Sequence, residues 1–291
     1  MNGEDAPRLV ETIPDMRAAS LEARTGGRRL GFVPTLGFLH EGHLSLVDRA
    51  RERCDRVAIS IFVNPAQFAP DEDYEAYPRD LQRDLSLADD RGVDIVFAPD
   101  REEMYPEPPQ AWVVPGSLGD RLDGASRPDH FRGVLTVVAK LFNVVRPDLA
   151  VFGRKDFQQS VLVRRMARDL NVPVEIELAP IVREEDGLAV SSRNQYLDDG
   201  ERRRARAVPE SLREVREAYR EGERSPAALG RRGRRVLEEA GAEVDYVEVV
   251  TPDTLETPPE PAPPESVCAL AARIGDTRLI DNARLAGPTT L

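Results

Sequence analysis

Along the first 180 or so residues, short apolar runs alternate with stretches of helical periodicity. Leu30 to Val33, Val57 to Val63, Asp94 to Phe97, Leu149 to Phe152 and Val174 to Leu178 read as strands. The run Val57-Ala58-Ile59-Ser60-Ile61-Phe62-Val63 is apolar almost throughout, as in a strand covered on both faces. Trp112-Val113-Val114 reads as a further short strand, and an edge segment precedes the first helix. Between the strands, Met16 to Arg24, Leu44 to Ala50, Arg79 to Arg91, Gly133 to Val145 and Phe157 to Leu170 read as helices. Strands alternating with helices through short links predict an α/β fold with a Rossmann-like, doubly wound, mostly parallel sheet.

Near Pro180 the pattern changes. A charged connector, Ile181 to Asp186, leads to two charged helices at about Glu201 to Glu221 and Pro226 to Ala240. Strand candidates follow at Val244 to Val250, Val267 to Ile274 and Arg278 to Ile280, with the proline-rich stretch Pro258 to Pro264 as a stiff surface loop. The expected organisation is a Rossmann-like domain over residues 1–182 and a smaller C-terminal α+β domain over residues 183–291.

Composition narrows the function classes. A formal net charge of −12 argues against a nucleic-acid surface, which needs a basic field. No apolar run reaches membrane-spanning length. The acidic start, Met1-Asn2-Gly3-Glu4-Asp5, is unlike a secretory signal, so a cytoplasmic protein is expected. Two cysteines, Cys54 and Cys268, are too few for a disulfide framework or a cysteine metal site, and both are expected as buried thiols.

In doubly wound sheets, ligands sit beyond the carboxyl ends of the strands. Three polar clusters follow strand ends here: His40 and His43, Asn64 and Gln67, Lys155 and Asp156. They are expected to form one site. His40-Glu41-Gly42-His43 stands where a strand hands over to a helix, and the chain has only 3 histidines, so two of them are concentrated there. A helix N-terminus offers N–H groups and a positive dipole end to an anion, Gly42 admits a ligand close to the backbone, and the imidazoles add donors. This is chemistry for a phosphate chain.

Six ordered blocks carry a resemblance: Pro34 to His43; Ser60 to Phe68; Tyr77-Pro78-Arg79-Asp80; His130-Phe131-Arg132-Gly133-Val134; Phe152 to Gln159; and Asp186 to Asn194. Together they resemble the pantoate–β-alanine ligase (pantothenate synthetase) family of HIGH-motif nucleotidyltransferases, over about residues 9–285. The resemblance implies that ATP, (R)-pantoate and β-alanine give pantothenate, AMP and diphosphate through a pantoyl adenylate, with Mg²⁺. It implies a homodimer, since dimers are the rule in the family. The alternative is a nucleotidyltransferase that keeps the nucleotide in its product, which would not need a pocket for a small branched acid.

Site roles follow from the resemblance. His40 and His43 would contact the phosphates within the block Leu36, Gly37, Phe38, Leu39, His40, Glu41, Gly42 and His43. His43 is the family's proton donor, a role better described as mainly electrostatic stabilisation. Gln67 and Gln159 would grip pantoate, with Asn64 beside Gln67. Phe62, Val134, Val137 and Val138 would wall its geminal methyls. Gly153, Arg154, Lys155 and Asp156 would serve ATP, Val182 and Val190 would border adenine, and Ser191, Ser192 and Arg193 would clamp the triphosphate from the C-terminal domain acting as a lid. The ligands of the metal are not assigned. Leu36 and Val190 stand where methionine is common in the family, and Arg154 where glutamate is usual.

Lysine occurs only at Lys140 and Lys155, although Lys and Arg together number 40. A chain that uses Arg almost everywhere has kept Lys155 in the ATP block. A compact ammonium sits as a point charge between phosphate oxygens, whereas a guanidinium demands planar, bidentate geometry. Lys155→Arg is therefore expected to keep the fold but to lose adenylate formation by on the order of 10²-fold in single turnover, while Lys140→Arg is nearly silent. Parent-like rates for Lys155→Arg would reduce Lys155 to a mere charge.

Overall fold

A computed structural model describes residues 6–70, 72 and 74–287. The reading of Met1 to Asp5 lies outside the described residues. The chain forms two compact units, each assembled from separate segments.

The first unit comprises Met1–Gly116, Arg127–Gly153 and Leu162–Ala179. It contains β1 (Arg8–Val10), α1 (Ile13–Ala23), β2 (Leu30–Thr35), α2 (Glu41–Arg51), β3 (Arg56–Ile61), α3 (Leu81–Asp90), β4 (Ile95–Phe97) and α4 (Arg101–Met104). After α5 (Asp123–Ser126), which belongs to the second unit, come α6 (His130–Val145), β5 (Leu149–Gly153), the greater part of α7 (Phe157–Asp169) and β6 (Glu175–Ala179). The strands form one parallel sheet in the order β1-β4-β3-β2-β5-β6. The expected Rossmann-like α/β class is therefore the observed one.

Strand alternation divides the core of this unit. Val33, Val57, Ile59, Leu149 and Val151 pack with Leu46, Val47 and Ala50 of α2 and Ala88 of α3. Phe152, one residue on from Val151, turns the other way and meets Phe142 of α6 edge-on, with ring centroids 6.4 Å apart. Between β2 and β5 the order of connection reverses: the chain runs one way through β3 and β4, and the other way through β6. This is the switch point at which such sheets bind ligands.

Trp112-Val113-Val114 is not a strand. The segment packs on α6 instead: Val113 N donates to Thr136 Oγ1 (3.0 Å) and the Arg132 guanidinium lies 4.6 Å from the Trp112 ring centroid. Trp112 and Val113 meet the helix, while Val114 stays exposed.

The second unit comprises Ser117–Ser126, Arg154–Val161 and Pro180–Leu291. Beyond α5 and the start of α7 it contains α8 (Asp199–Ala205), α9 (Ala207–Arg220), α10 (Pro226–Glu239), β7 (Glu243–Val250), β8 (Val267–Ile274) and β9 (Thr277–Arg284). The three strands make an antiparallel meander. Cys268, Leu270, Ala272 and Ile274 of β8 face Leu212 and Val215 of α9 and Leu229 and Leu237 of α10. The alternate residues Ala269 and Ala271 face Val161, Leu122 and Leu255.

Three details differ from the sequence reading. The helix expected over residues 201–221 breaks at Arg206. Pro209 has no N–H, and its ring clashes with the carbonyl four residues back, at Ala205, where α8 ends. The loop at residues 258–264 is anchored rather than simply exposed, because Ala262 N donates to Arg224 O and Ala262 O accepts from Tyr219 OH. Finally β9 runs four residues past Ile280, carrying the buried polar pair Asp281 and Asn282 in mid-strand. Of the thiols, Cys268 is buried as expected, while Cys54 is half-buried.

Candidate active site

The turn that leaves β2 is held by buried polar groups. Thr35 Oγ1 donates to Ser60 O (2.6 Å) on β3 and accepts from Gly37 N (3.1 Å). Gly37 has φ 89°, and a Cβ there would meet Ile61 Cγ2 at 2.8 Å, so only glycine fits. Phe38 follows at φ 52°. Asp84 of α3, 1% exposed, accepts from Phe38 N and Leu39 N, both at 2.7 Å. Burial raises the Asp84 pKa above the ordinary range, and these two bonds pull against that shift.

The turn delivers His40 to the N-cap of α2, and His43 lies within its first turn. The two imidazoles stack with centroids 3.9 Å apart and an interplanar angle of 14°. His40 O accepts from His43 N (2.8 Å) and Leu44 N (3.0 Å), which locks the relation between them. Glu41 is exposed, and its carboxylate pairs with Arg91 at 2.8 Å. Its contribution at the helix start is thus that of its backbone. The arrangement suits an anion at the helix N-terminus, with two imidazoles beside it.

Just past the end of the neighbouring strand β3, Phe62 leads to Asn64, which is fully buried. Asn64 Nδ2 donates to Gln67 Oε1 (3.0 Å) and Gly133 O (3.2 Å), and Oδ1 accepts from Ala66 N (3.3 Å) and Tyr105 OH (2.9 Å). The amide is thus fully engaged within the protein, and it orients Gln67. A second support comes from His130. Its Nδ1 is 2.8 Å from Gln67 O, and its Nε2 is 2.9 Å from an Arg127 N–H, so Nε2 accepts and Nδ1–H donates. Arg127 pairs with both carboxylate oxygens of Glu72, at 2.6 and 2.7 Å. Burial pushes the Glu72 pKa up, but the bonds and charge of Arg127 bring it below the usual range.

Gly133 lets α6 reach this turn, because a Cβ there would lie 2.0 Å from Ala66 O. The same helix buries Val134, Val137 and Val138, and Phe62 is buried too. Tyr105, whose phenol burial pushes up to about 12, stays a neutral donor to Asn64. Lys140 Nζ lies 5.1 Å from the Tyr105 ring centroid, a cation–π contact that either basic side chain can make. Leu36 and Phe38 are half-buried in the turn, and Leu39 is fully buried in the core beneath it.

Gly153 closes β5, the other neighbour of β2, and a Cβ built there would meet Leu46 Cδ2 at 4.0 Å, an ordinary contact. Arg154, Lys155 and Asp156 follow, and by their contacts they belong to the second unit. Lys155 Nζ is 3.9 Å from Asp156 Oδ1. On the first turn of α7, Gln158 is buried and binds Asp123 N, Leu118 O and Arg121 O, whereas Gln159 is half-buried.

Also in the second unit, residues 182–190 form a hairpin in which Val190 N donates to Val182 O (2.9 Å), bringing those two valines together. Ser191 Oγ then caps Arg193 N (3.3 Å) at the start of the short helical turn Ser192–Tyr196. Asn194 Nδ2 ties this turn to Glu184 Oε1 (2.6 Å) and Ala189 O (3.0 Å). Arg202 pairs with Glu184 and Asp186 and holds Asp186 below the usual carboxylate range. The support this pair gives is present above the ordinary aspartate pKa and is lost as pH falls through the lowered value.

The first unit thus brings His40, His43, Asn64, Gln67 and Phe62 to adjacent strand ends and buries the α6 valines. The second unit holds Lys155, Asp156, Gln159, Val182, Val190 and Ser191 to Arg193. Sequence reasoning missed Asp84, Tyr105 and Arg127, and left His130 without a role. A lone aspartate inside an amphipathic helix or a lone tyrosine before a loop gives no local signal.

The chain matches a family model described as pantoate-beta-alanine ligase over residues 8–284. It is 53% identical over 278 residues to the pantothenate synthetase of Pelotomaculum thermopropionicum, covering 95% of this chain and 98% of that protein. It is 49% identical to pantothenate synthetase 1 of Bradyrhizobium diazoefficiens, covering 96% and 98%. Among solved structures, the pantothenate synthetase of Thermus thermophilus superposes with a TM-score of 0.90 at 46% identity, over 96% of this chain and 100% of that one. The pantoate-beta-alanine ligase of Francisella tularensis, complexed with beta-gamma ATP and beta-alanine, gives 0.81 at 31% identity, over 98% and 100%.

Asp84→Asn leaves one acceptor where two N–H groups converge, and sets an NH₂ against the other. Urea unfolding is expected to show a loss of about 1–3 kcal/mol, with faster hydrogen exchange confined to Phe38 and Leu39. Unchanged exchange there would mean that Asp84 does not hold the turn.

Proposed function

The chain belongs to the pantoate–β-alanine ligase family, and on that premise we propose which of its residues carry each part of the reaction. The activity is the ATP-dependent condensation of (R)-pantoate with β-alanine, through a pantoyl adenylate, to pantothenate, AMP and diphosphate. The observation that carries the assignment of roles is the stacked His40–His43 pair at the N-terminus of α2, placed at the switch point of the parallel sheet.

Pantoate carboxylate attacks the α-phosphorus of ATP, and the bond from that phosphorus to the β–γ diphosphate breaks. His40, His43 and the α2 N-terminus stabilise the charge that grows on the phosphate oxygens. Gln67, oriented by Asn64 and His130, binds pantoate together with Gln159, and Phe62, Val134, Val137 and Val138 accept its methyl groups. Lys155, Ser191, Ser192 and Arg193 bind the departing diphosphate, Asp156 the ribose, and Val182 and Val190 the adenine, with Gly153 and Arg154 beside them. The β-alanine amine then attacks the acyl carbon and AMP leaves. No protein nucleophile is required. Neither thiol suits the role: burial raises both pKa values, that of Cys268 to about 12.

ATP enters as its Mg²⁺ complex, with the ion as part of the substrate. Residues 1–182 supply the histidine, ATP and pantoate groups, drawn from both compact units, and residues 183–291 supply the lid segment with Ser191, Ser192 and Arg193. The working form is a cytoplasmic homodimer that acts without nucleic acid or membrane. The acidic net charge supports the nucleic-acid exclusion. No helix among the described residues is long and apolar enough to cross a membrane.

The test measures nucleotide products with each substrate omitted in turn. Continuous AMP release is expected only with ATP, pantoate and β-alanine all present, and omission of either acid or amine should abolish turnover. A product that retains the nucleotide would instead point to a nucleotidyltransferase.

A further inference from the structure

Two buried polar residues stand side by side in the middle of β9. Asp281 is 1% exposed and Asn282 is 5% exposed. Successive strand residues point to opposite faces, and the two residues hold different things. On the face of β9 shared with Leu279 and Ala283, Asp281 accepts from Arg183 through both oxygens, at 2.6 and 3.1 Å. Arg183 also donates to Gly187 O (3.0 Å), across the hairpin that leads to Ser191, Ser192 and Arg193. On the face shared with Ile280, Asn282 Nδ2 donates to Arg154 O (2.9 Å) and to Lys155 O (3.1 Å). One strand therefore grips both segments of the second unit that carry the proposed phosphate-binding residues.

The geometry at Asn282 is specific. The carbonyls of Arg154 and Lys155 belong to the two peptide planes that flank the Lys155 Cα. Fixing both planes fixes the backbone torsions at Lys155, and with them the direction of its Cα–Cβ bond. The ammonium can then move only through its own side-chain torsions. A primary amide suits this task, since one nitrogen carries two N–H donors and each meets a carbonyl. A hydroxyl has a single donor, a carboxylate has none, and an apolar side chain would leave both carbonyls without these bonds.

We propose that Asn282 is a positioning residue for adenylate formation, acting through the backbone on either side of Lys155 to aim its ammonium at the diphosphate of ATP. The inference rests on the role assigned to Lys155 above. It makes a sharp distinction between the two half-reactions. The first displaces diphosphate and depends on where that ammonium stands. The second, attack of β-alanine on pantoyl adenylate, involves no diphosphate.

The experiment compares wild type, Asn282→Ala and Asn282→Ser in single turnover. Adenylate formation is measured from ATP and pantoate, and the second half-reaction from supplied pantoyl adenylate and β-alanine. Asn282→Ala is expected to slow the first half-reaction by on the order of 10²-fold, the scale of a misplaced catalytic group. The second should be almost unchanged. Asn282→Ser, which keeps one donor, should recover part of the loss. Equal slowing of both half-reactions, or no slowing of the first, overturns the positioning role. Failure of the wild-type chain to make AMP and pantothenate overturns the reading on which it rests, and is seen separately in the same assay.

Discussion

β2 pairs in parallel with β3 on one side and with β5 on the other, and this double pairing decides where the chemistry of the sheet unit can be placed. Parallel strands send their carboxyl ends the same way, so the turns after β2 and β3 and the end of β5 emerge at one edge. The connections diverge between β2 and β5, and sheets of this kind bind ligands beyond the strand ends at that point. The His40–His43 turn, the Asn64–Gln67 turn and Gly153 occupy those three strand ends. A register slip of one residue in β2 would exchange Val33 with Phe32 between the two faces, and would break both the α2 packing and the Thr35–Ser60 link.

Four polar side chains away from the solvent surface act as positioning devices. Asp84 fixes the turn before His40, Asn64 and His130 fix Gln67, and Asn282 fixes the backbone around Lys155. Each is a side chain that bonds backbone groups or another side chain, and each supports a segment to which a substrate role is assigned above. That division suits a reaction without a covalent protein intermediate. The enzyme has to hold an acid, a nucleotide and an amine in position and to receive charge on phosphate, so small displacements at these supports are expected to reduce rate.

The elements of the parallel sheet were legible because apolar runs and helical periodicity are local signals, and the sequence blocks pointed to the family. The departures have physical causes. Pro209 divided a helix whose periodicity continues across it, and Trp112-Val113-Val114 found a helix surface in place of a strand partner. β9 was cut short at Ile280 because the next two residues are polar, and nothing in a single sequence shows that Arg183 and the Arg154–Lys155 carbonyls await them. The residues assigned above to substrate stand in recognisable motifs. The residues that aim them, such as Asp84, Tyr105 and Asn282, are distant in sequence from what they hold, and become visible only when the chain is folded.

With the roles assigned above, activation of the acid precedes the amine and does not require it. Rapid quenching of enzyme mixed with ATP and pantoate, with no β-alanine, tests this most directly. Pantoyl adenylate is expected in stoichiometric amount with the enzyme, formed at least as fast as pantothenate appears in the complete reaction. Its absence, under conditions where the complete mixture turns over at full rate, would contradict the stepwise order and require a concerted route.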